Sequence, residues 1–124
     1  MELTIETYGD VEIGSAIPCA AHVLQRPVDL VHLTRYTMGD RAIEREVLTL
    51  FRTQSHALMQ RLQSAPDETD RQRAARTLRD SARSIGAWRV AVAADDAGNA
   101  KGRDRLACRI GETDAFIALL LDRA

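Results

Sequence analysis

Aromatic residues are scarce: two phenylalanines, two tyrosines and one tryptophan make up 4% of the 124 residues. A core must therefore be assembled from Leu, Val, Ile and Ala rather than around stacked rings. Cysteine is scarcer still. Cys19 and Cys108 have neither metal-ligand spacing nor a secretory context, so two reduced thiols are expected. The last of the three histidines is His56. No run approaches the roughly 18 apolar residues of a spanning helix. The N-terminus shows no basic segment followed by an apolar one, so no signal peptide is expected. Excess charge is missing as well: 17 basic against 18 acidic residues leaves -1. That balance argues for neither nucleic acid nor an anionic membrane as partner. No glycine-rich phosphate loop, internal repeat or zinc-spaced His/Cys/Asp/Glu group occurs, so no metal or cofactor is expected.

What the chain does have is helical periodicity. Its length suits one domain with a single core, and 45% apolar with 28% charged residues is ordinary for a globular chain. Residues 1–26 alternate weakly (Leu3, Ile5, Val11, Ile13) and are interrupted by Gly14, Ser15 and Pro18, which reads as an extended or partly disordered leader. The domain proper is 27–124. A short helix is predicted over 28–38, with Asp29 at its positive end and Gly39 at its close. A second is predicted over 40–63, capped by Asp40, with Ile43, Val47, Leu50, Phe51, Gln54, Leu58 and Leu62 as its stripe. A third spans 68–84, a fourth 87–97, and a fifth 104–123, after a turn over 98–102. The fifth carries Leu106, Ile110, Thr113, Ile117, Leu120 and Leu121 on one face. Leu50, Phe51, Leu58, Leu78, Ile85, Ile110 and Ile117 are expected to be buried together. Short loops between amphipathic helices favour antiparallel neighbours, so the periodicity alone predicts an all-α bundle.

The third helix organises the rest. Ala74, Ala75, Leu78, Ala82 and Ile85 share one face; Arg73, Arg76, Arg79, Asp80 and Arg83 lie on the other. The small inner residues predict close helix contacts at Ala75 and Ala82. Gly86 stops the helix and Trp88 opens the next, where it is expected to pack the bundle end.

Ala75, Leu78, Ser81, Ala82, Ile85, Gly86 and Ala87 resemble the signature of histidine-containing phosphotransfer (HPt) domains, which runs Ala-His-x-Leu-Lys-Gly-Ser-Ala, then an aliphatic residue before Gly-Ala. The stretches at 28–33, 39–40, 47–51 and 90–94 look like that family's other helices, and the resemblance covers about Pro27 to Ala124. It implies an up-down antiparallel four-helix bundle from helices two to five, with the first helix across one end. It also implies a cytoplasmic place in bacterial two-component signalling, with a response-regulator receiver domain or a histidine kinase as partner.

Three positions depart from the family pattern. Arg76 stands where the family has its phosphorylated histidine, Arg79 where it has lysine, and Asp80 where it has glycine. A guanidinium stays protonated and has no free lone pair with which to attack phosphorus. Asp80 adds bulk and negative charge beside that position. The expectation is a degenerate, non-enzymatic HPt protein that binds a receiver or kinase without accepting phosphate, through Arg73, Arg76, Arg79, Asp80 and Arg83. Arginine suits acidic partner surfaces. A plainer reading of this face is a solvated one, with Arg76 and Asp80 paired four residues apart. Two alternative functions stand beside it: active phosphotransfer from His22, His32 or His56, and a helical adaptor unrelated to phosphorelays.

Overall fold

The computed structural model describes residues 26–122, and every regular element among them is an α-helix. These are α1 (Leu30–Tyr36), α2 (Arg41–Ser64), α3 (Glu68–Ile85), α4 (Trp88–Asp95) and α5 (Ala100–Asp122). The leader expected over 1–26 lies outside the described residues apart from Arg26.

Local chemistry starts the first three helices. The Asp29 side chain accepts from the backbone N–H groups of Val31 and His32, that of Asp40 from Ile43, and that of Asp67 from Asp70. Each thereby satisfies donors that a helix N-terminus leaves without intrahelical partners. Gly86 ends α3 in the left-handed region (φ 84°), and the Ala87 N–H returns to the Ala82 carbonyl at 2.8 Å. A side chain at Gly86 would also meet Asp29, whose Cβ and carbonyl oxygen lie 3.0 Å from an ideal Cβ position. The same glycine therefore closes α3 and admits α1, whose Asp29 N–H donates to the Gly86 carbonyl at 2.9 Å.

α2 packs on α3, α3 on α4, α4 on α5, and α5 returns to α2; α1 lies on α3. The shared core holds Leu48, Phe51, Leu58 and Leu62 of α2, Leu78, Ala82 and Ile85 of α3, Val90 and Ala94 of α4, and Leu106, Ile110 and Ile117 of α5. Phe51 is the one aromatic among these buried residues, as the composition requires. Ala82 is fully enclosed, and Ala75 is half-buried against the core.

Two expected features of the helices differ. Leu50 is 53% exposed and Ile43 44% exposed. α2 carries two adjacent apolar ridges; the one that turns inward runs through Leu48, Phe51, Ser55, Leu58 and Leu62. Ser55 stays there because its hydroxyl donates to the Arg52 carbonyl. The second difference is the start of α5. The stretch 98–102, expected to be a turn, already enters the helix at Ala100. There the Asn99 side chain accepts from the Gly102 N–H at 2.8 Å, and Gly102 is buried. An ideal Cβ on Gly102 would stand 1.8 Å from the Asp96 carbonyl oxygen. This glycine serves a backbone crossing, not a turn.

Cys108, on α5, is disulfide-bonded, contrary to the expectation of two reduced thiols. The sequence spacing of two cysteines says nothing about which surfaces the fold brings together. Cys19, the chain's other cysteine, lies outside the described residues.

Candidate functional site

The polar face of α3 points outward, as its periodicity requires. Arg73, Arg76, Asp80 and Arg83 are exposed, while Arg79 is half-buried. The five residues are not equivalent. The Arg79 Nε–H donates to Asp80 Oδ1 at 3.1 Å, and its Nη1 reaches Asp95 Oδ1, at the end of α4, at 3.3 Å. The hydrogen bond to Asp80 and that to Asp95 hold its guanidinium above the ordinary arginine value. Arg79 is therefore a brace between α3 and α4. Asp80 pairs with this neighbour, not with Arg76 as expected. Asp95 fixes the Arg79 fork beside Asp80, and that partner comes from another helix. Arg73 sits 3.8 Å from Asp70. Arg76 and Arg83 have no ion-pair partner among the described residues.

Depressions flank this ridge on both sides. Toward α4, a groove is lined by Gln72, Ala75, Arg76, Arg79, Ala94 and Asp95. Toward α1 and α2, another is lined by Tyr36, Val47, Leu50, Gln54, Ser81 and Ser84. Tyr36 and Leu50 are both more than half exposed. This apolar flank departs from the expectation that Leu50 belongs to the core. The available signal was the 4–3–4 spacing of Ile43, Val47, Leu50 and Gln54, which marks a second ridge beside the one through Leu48 and Phe51.

The remaining candidates sit elsewhere. His32, expected on a polar face, is half-buried. Its Nε2–H faces the Ser84 carbonyl at 3.1 Å, and its ring meets Trp88 edge-on at 4.8 Å between centroids. The Trp88 Nε1–H donates to Asp29 Oδ2 at 3.0 Å. This hydrogen bond is the leading cause holding the Asp29 carboxyl below the usual aspartate value, followed by the bond from the His32 backbone N–H. Trp88 thus brackets α1 to the α3–α4 corner while remaining 42% exposed. His56 is exposed on α2, where its Nε2 contacts Asp114 Oδ2 of α5. His22 lies outside the described residues. No histidine occurs on α3, α4 or α5. Ser81 is half-buried. Among the described residues, no group of three or more His, Cys, Asp or Glu could hold a metal ion, and no helix is long and apolar enough to cross a membrane.

Chemically, the α3 face offers permanent cations at Arg76 and Arg83, a carboxylate at Asp80 shared with Arg79, and apolar surface alongside. It offers no nucleophile with an adjacent base. No protein-family model matches the chain, and no curated protein or solved structure matches it.

Proposed function

We propose that this chain is a degenerate HPt protein of a bacterial two-component system. It binds a receiver or histidine-kinase domain through the outward face of α3 and accepts no phosphate. In this reading α2 to α5 form an up-down antiparallel four-helix bundle, with α1 across one end. The protein acts by occupancy rather than catalysis, in the cytoplasm, without cofactor, nucleic acid or membrane. The Cys108 disulfide weighs against that compartment, where reduced thiols are the rule.

The observation that carries the proposal is Arg76. At the position the resemblance gives to the phosphorylated histidine stands an exposed guanidinium without an ion-pair partner among the described residues, on the edge of the groove toward α4. An unpaired cation beside apolar surface suits an acidic pocket on a protein partner. Arg83, two turns along, extends the same charge, while Arg79, tied to Asp80 and Asp95, holds the face in place.

A panel of purified receiver and kinase domains tests this by calorimetric titration. At least one should bind, and Arg76→Ala should weaken that complex by about tenfold or more. Arg79→Ala should weaken it less. Binding by none of the panel would overturn the proposal. A phosphorylated receiver tests the second half. The unaltered chain should take up no acid-labile phosphate, whereas Arg76→His with Asp80→Gly should take it up. The rival reading, active phosphotransfer, draws on one observation: Asp114 engages one ring nitrogen of His56, and the side chain is otherwise exposed. Phosphate on the unaltered chain at His56 would establish it.

A further inference from the structure

The groove between α4 and α5 is more apolar than those beside α3. It is lined by Trp88, Val92, Ala93, Arg89, Arg105 and Arg109. Val92 is 64% exposed and Trp88 42% exposed, whereas Val90, Ala91, Ala93 and Ala94 of the same helix are buried. The groove is also cationic. Arg89 and Arg109 share the single carboxylate of Glu112, each at 3.3 Å, and both make further interactions, so neither is a free cation. Arg105 has no ion-pair partner among the described residues. Burial lowers the Arg89 guanidinium below the ordinary arginine value, with Glu112 opposing and Arg109 adding to the effect. An apolar floor with arginines on its rim fits an extended peptide that is both acidic and apolar.

This chain contains such a peptide. Residues 1–25 hold Glu2, Glu6, Asp10 and Glu12, no lysine or arginine, and the apolar residues Leu3, Ile5, Val11, Ile13 and Ile17. Two features of the described residues point it toward the groove. At one end, Asp29 is hydrogen-bonded to Trp88 on the groove's rim. At the other, the disulfide-bonded Cys108 lies on α5, three residues from Arg105 and next to Arg109. Cys19 is the only other cysteine in the chain. From Cys19 to Asp29, ten residues of extended chain reach up to about 35 Å, about three times the roughly 12 Å length of an eight-residue helix such as α4.

We propose that the N-terminal segment 1–25 occupies the α4–α5 groove of its own chain, tethered by a Cys19–Cys108 disulfide and held by its acidic residues against Arg89, Arg105 and Arg109. The inference is independent of the function proposed for α3. Closing the bond removes two protons and two electrons from the two thiols, delivered to a disulfide oxidant by thiol–disulfide exchange. A dithiol such as dithiothreitol returns them and is itself oxidised to a cyclic disulfide.

The full-length chain, purified without reductant, provides the test. Mass spectrometry of a non-reduced digest should show Cys19 joined to Cys108 within a monomer. Two freely alkylated thiols, or a Cys108-linked dimer, would overturn the tether. Docking is read from Glu-C cleavage after Glu6 and Glu12, which tracks the population of the undocked segment. The oxidised chain should be cut at least about tenfold more slowly than the dithiothreitol-treated chain or Cys19→Ser. Arg105→Glu keeps the bond but reverses one charge of the groove, so its oxidised form should be cut several-fold faster than the unaltered oxidised chain. Circular dichroism confirms that each variant keeps its helices. Equal cleavage of oxidised and reduced chains would overturn the docking, and an Arg105→Glu chain cut at the unaltered rate would show that the segment lies elsewhere.

Discussion

Replacing Gly102 with alanine sets two effects against each other inside one helix. Alanine is the better helix former by about 1 kcal/mol, so propensity alone predicts stabilisation. At Gly102 the added Cβ would stand 1.8 Å from the Asp96 carbonyl oxygen, 2.9 Å from the Asp96 carbonyl carbon and 3.3 Å from Ala97 Cα. All three are backbone atoms and cannot rotate away as a flexible side chain can. Relief requires the α4–α5 connection to move, which loosens the Asn99 cap and the buried Ala94 and Ala97 beside it. Overpacking of this kind costs about 1–3 kcal/mol, often more when backbone must shift. The steric term wins, and Gly102→Ala should be destabilised by about 1–2 kcal/mol net. Gly111, in the same helix, has nothing within 4 Å of its Cβ position. There propensity acts alone, and Gly111→Ala should gain about 0.5–1 kcal/mol. Thermal unfolding followed by helical circular dichroism should show melting temperatures shifting in opposite directions, by about 4 °C per kcal/mol for a domain of this size. Shifts in the same direction, or a Gly102→Ala protein as stable as the parent, would refute the close backbone crossing.

Three further predictions concern other contacts. Ala82 is fully enclosed between α3 and its neighbours, so Ala82→Leu should cost about 1–3 kcal/mol in urea titrations; an unchanged midpoint would show room where none is expected. Asp114 is only 17% exposed, and its Oδ1 is buried without a hydrogen-bond partner. Removing the contact to its other oxygen with His56→Ala should therefore cost about 1–2 kcal/mol, and His56→Ala with Asp114→Leu should recover much of that loss; no loss in the single variant would sink the idea. Asp29 has its carboxyl lowered chiefly by the Trp88 hydrogen bond. A depressed carboxylate contributes stability that is fully present above its unfolded value near 3.9 and is lost as pH falls through the folded one. Since Asn keeps the helix cap, the difference in melting temperature between the parent and Asp29→Asn should be constant near neutrality and shrink below about pH 4. A gap that stays constant into acid would mean that the charge is not what matters.

Much of this molecule was legible because its determinants are local. Asp29, Asp40 and Asp67 announce helix starts through side chains that reach their own backbone two or three residues on. Gly86 announces a stop because only a residue at ease in the left-handed region closes a helix that way. The inward face of α3 follows from its spacing, since Ala74, Ala75, Leu78, Ala82 and Ile85 are its only apolar residues. The outward placement of Arg73, Arg76, Asp80 and Arg83 follows from that. α2 was misread because a helix with two neighbouring apolar ridges does not say which one its partners will cover. Leu48 and Leu50 are equally apolar, and only the positions of α3 and α5 bury the first and expose the second. The same holds for Gly102, which resembles turn punctuation until the Asp96 carbonyl is seen against it. It holds for Arg79, whose partner Asp95 is sixteen residues away on another helix. The disulfide at Cys108 is of the same kind. Sequence by itself determined the presence of the five helices, the starts of α1 and α2, the stop of α3 and the face of α3, because hydrogen-bond capping and periodicity act within a few residues. Tertiary structure decided which apolar ridge is core, which charges are braces and which are free, because those depend on atoms that meet only when separate helices pack.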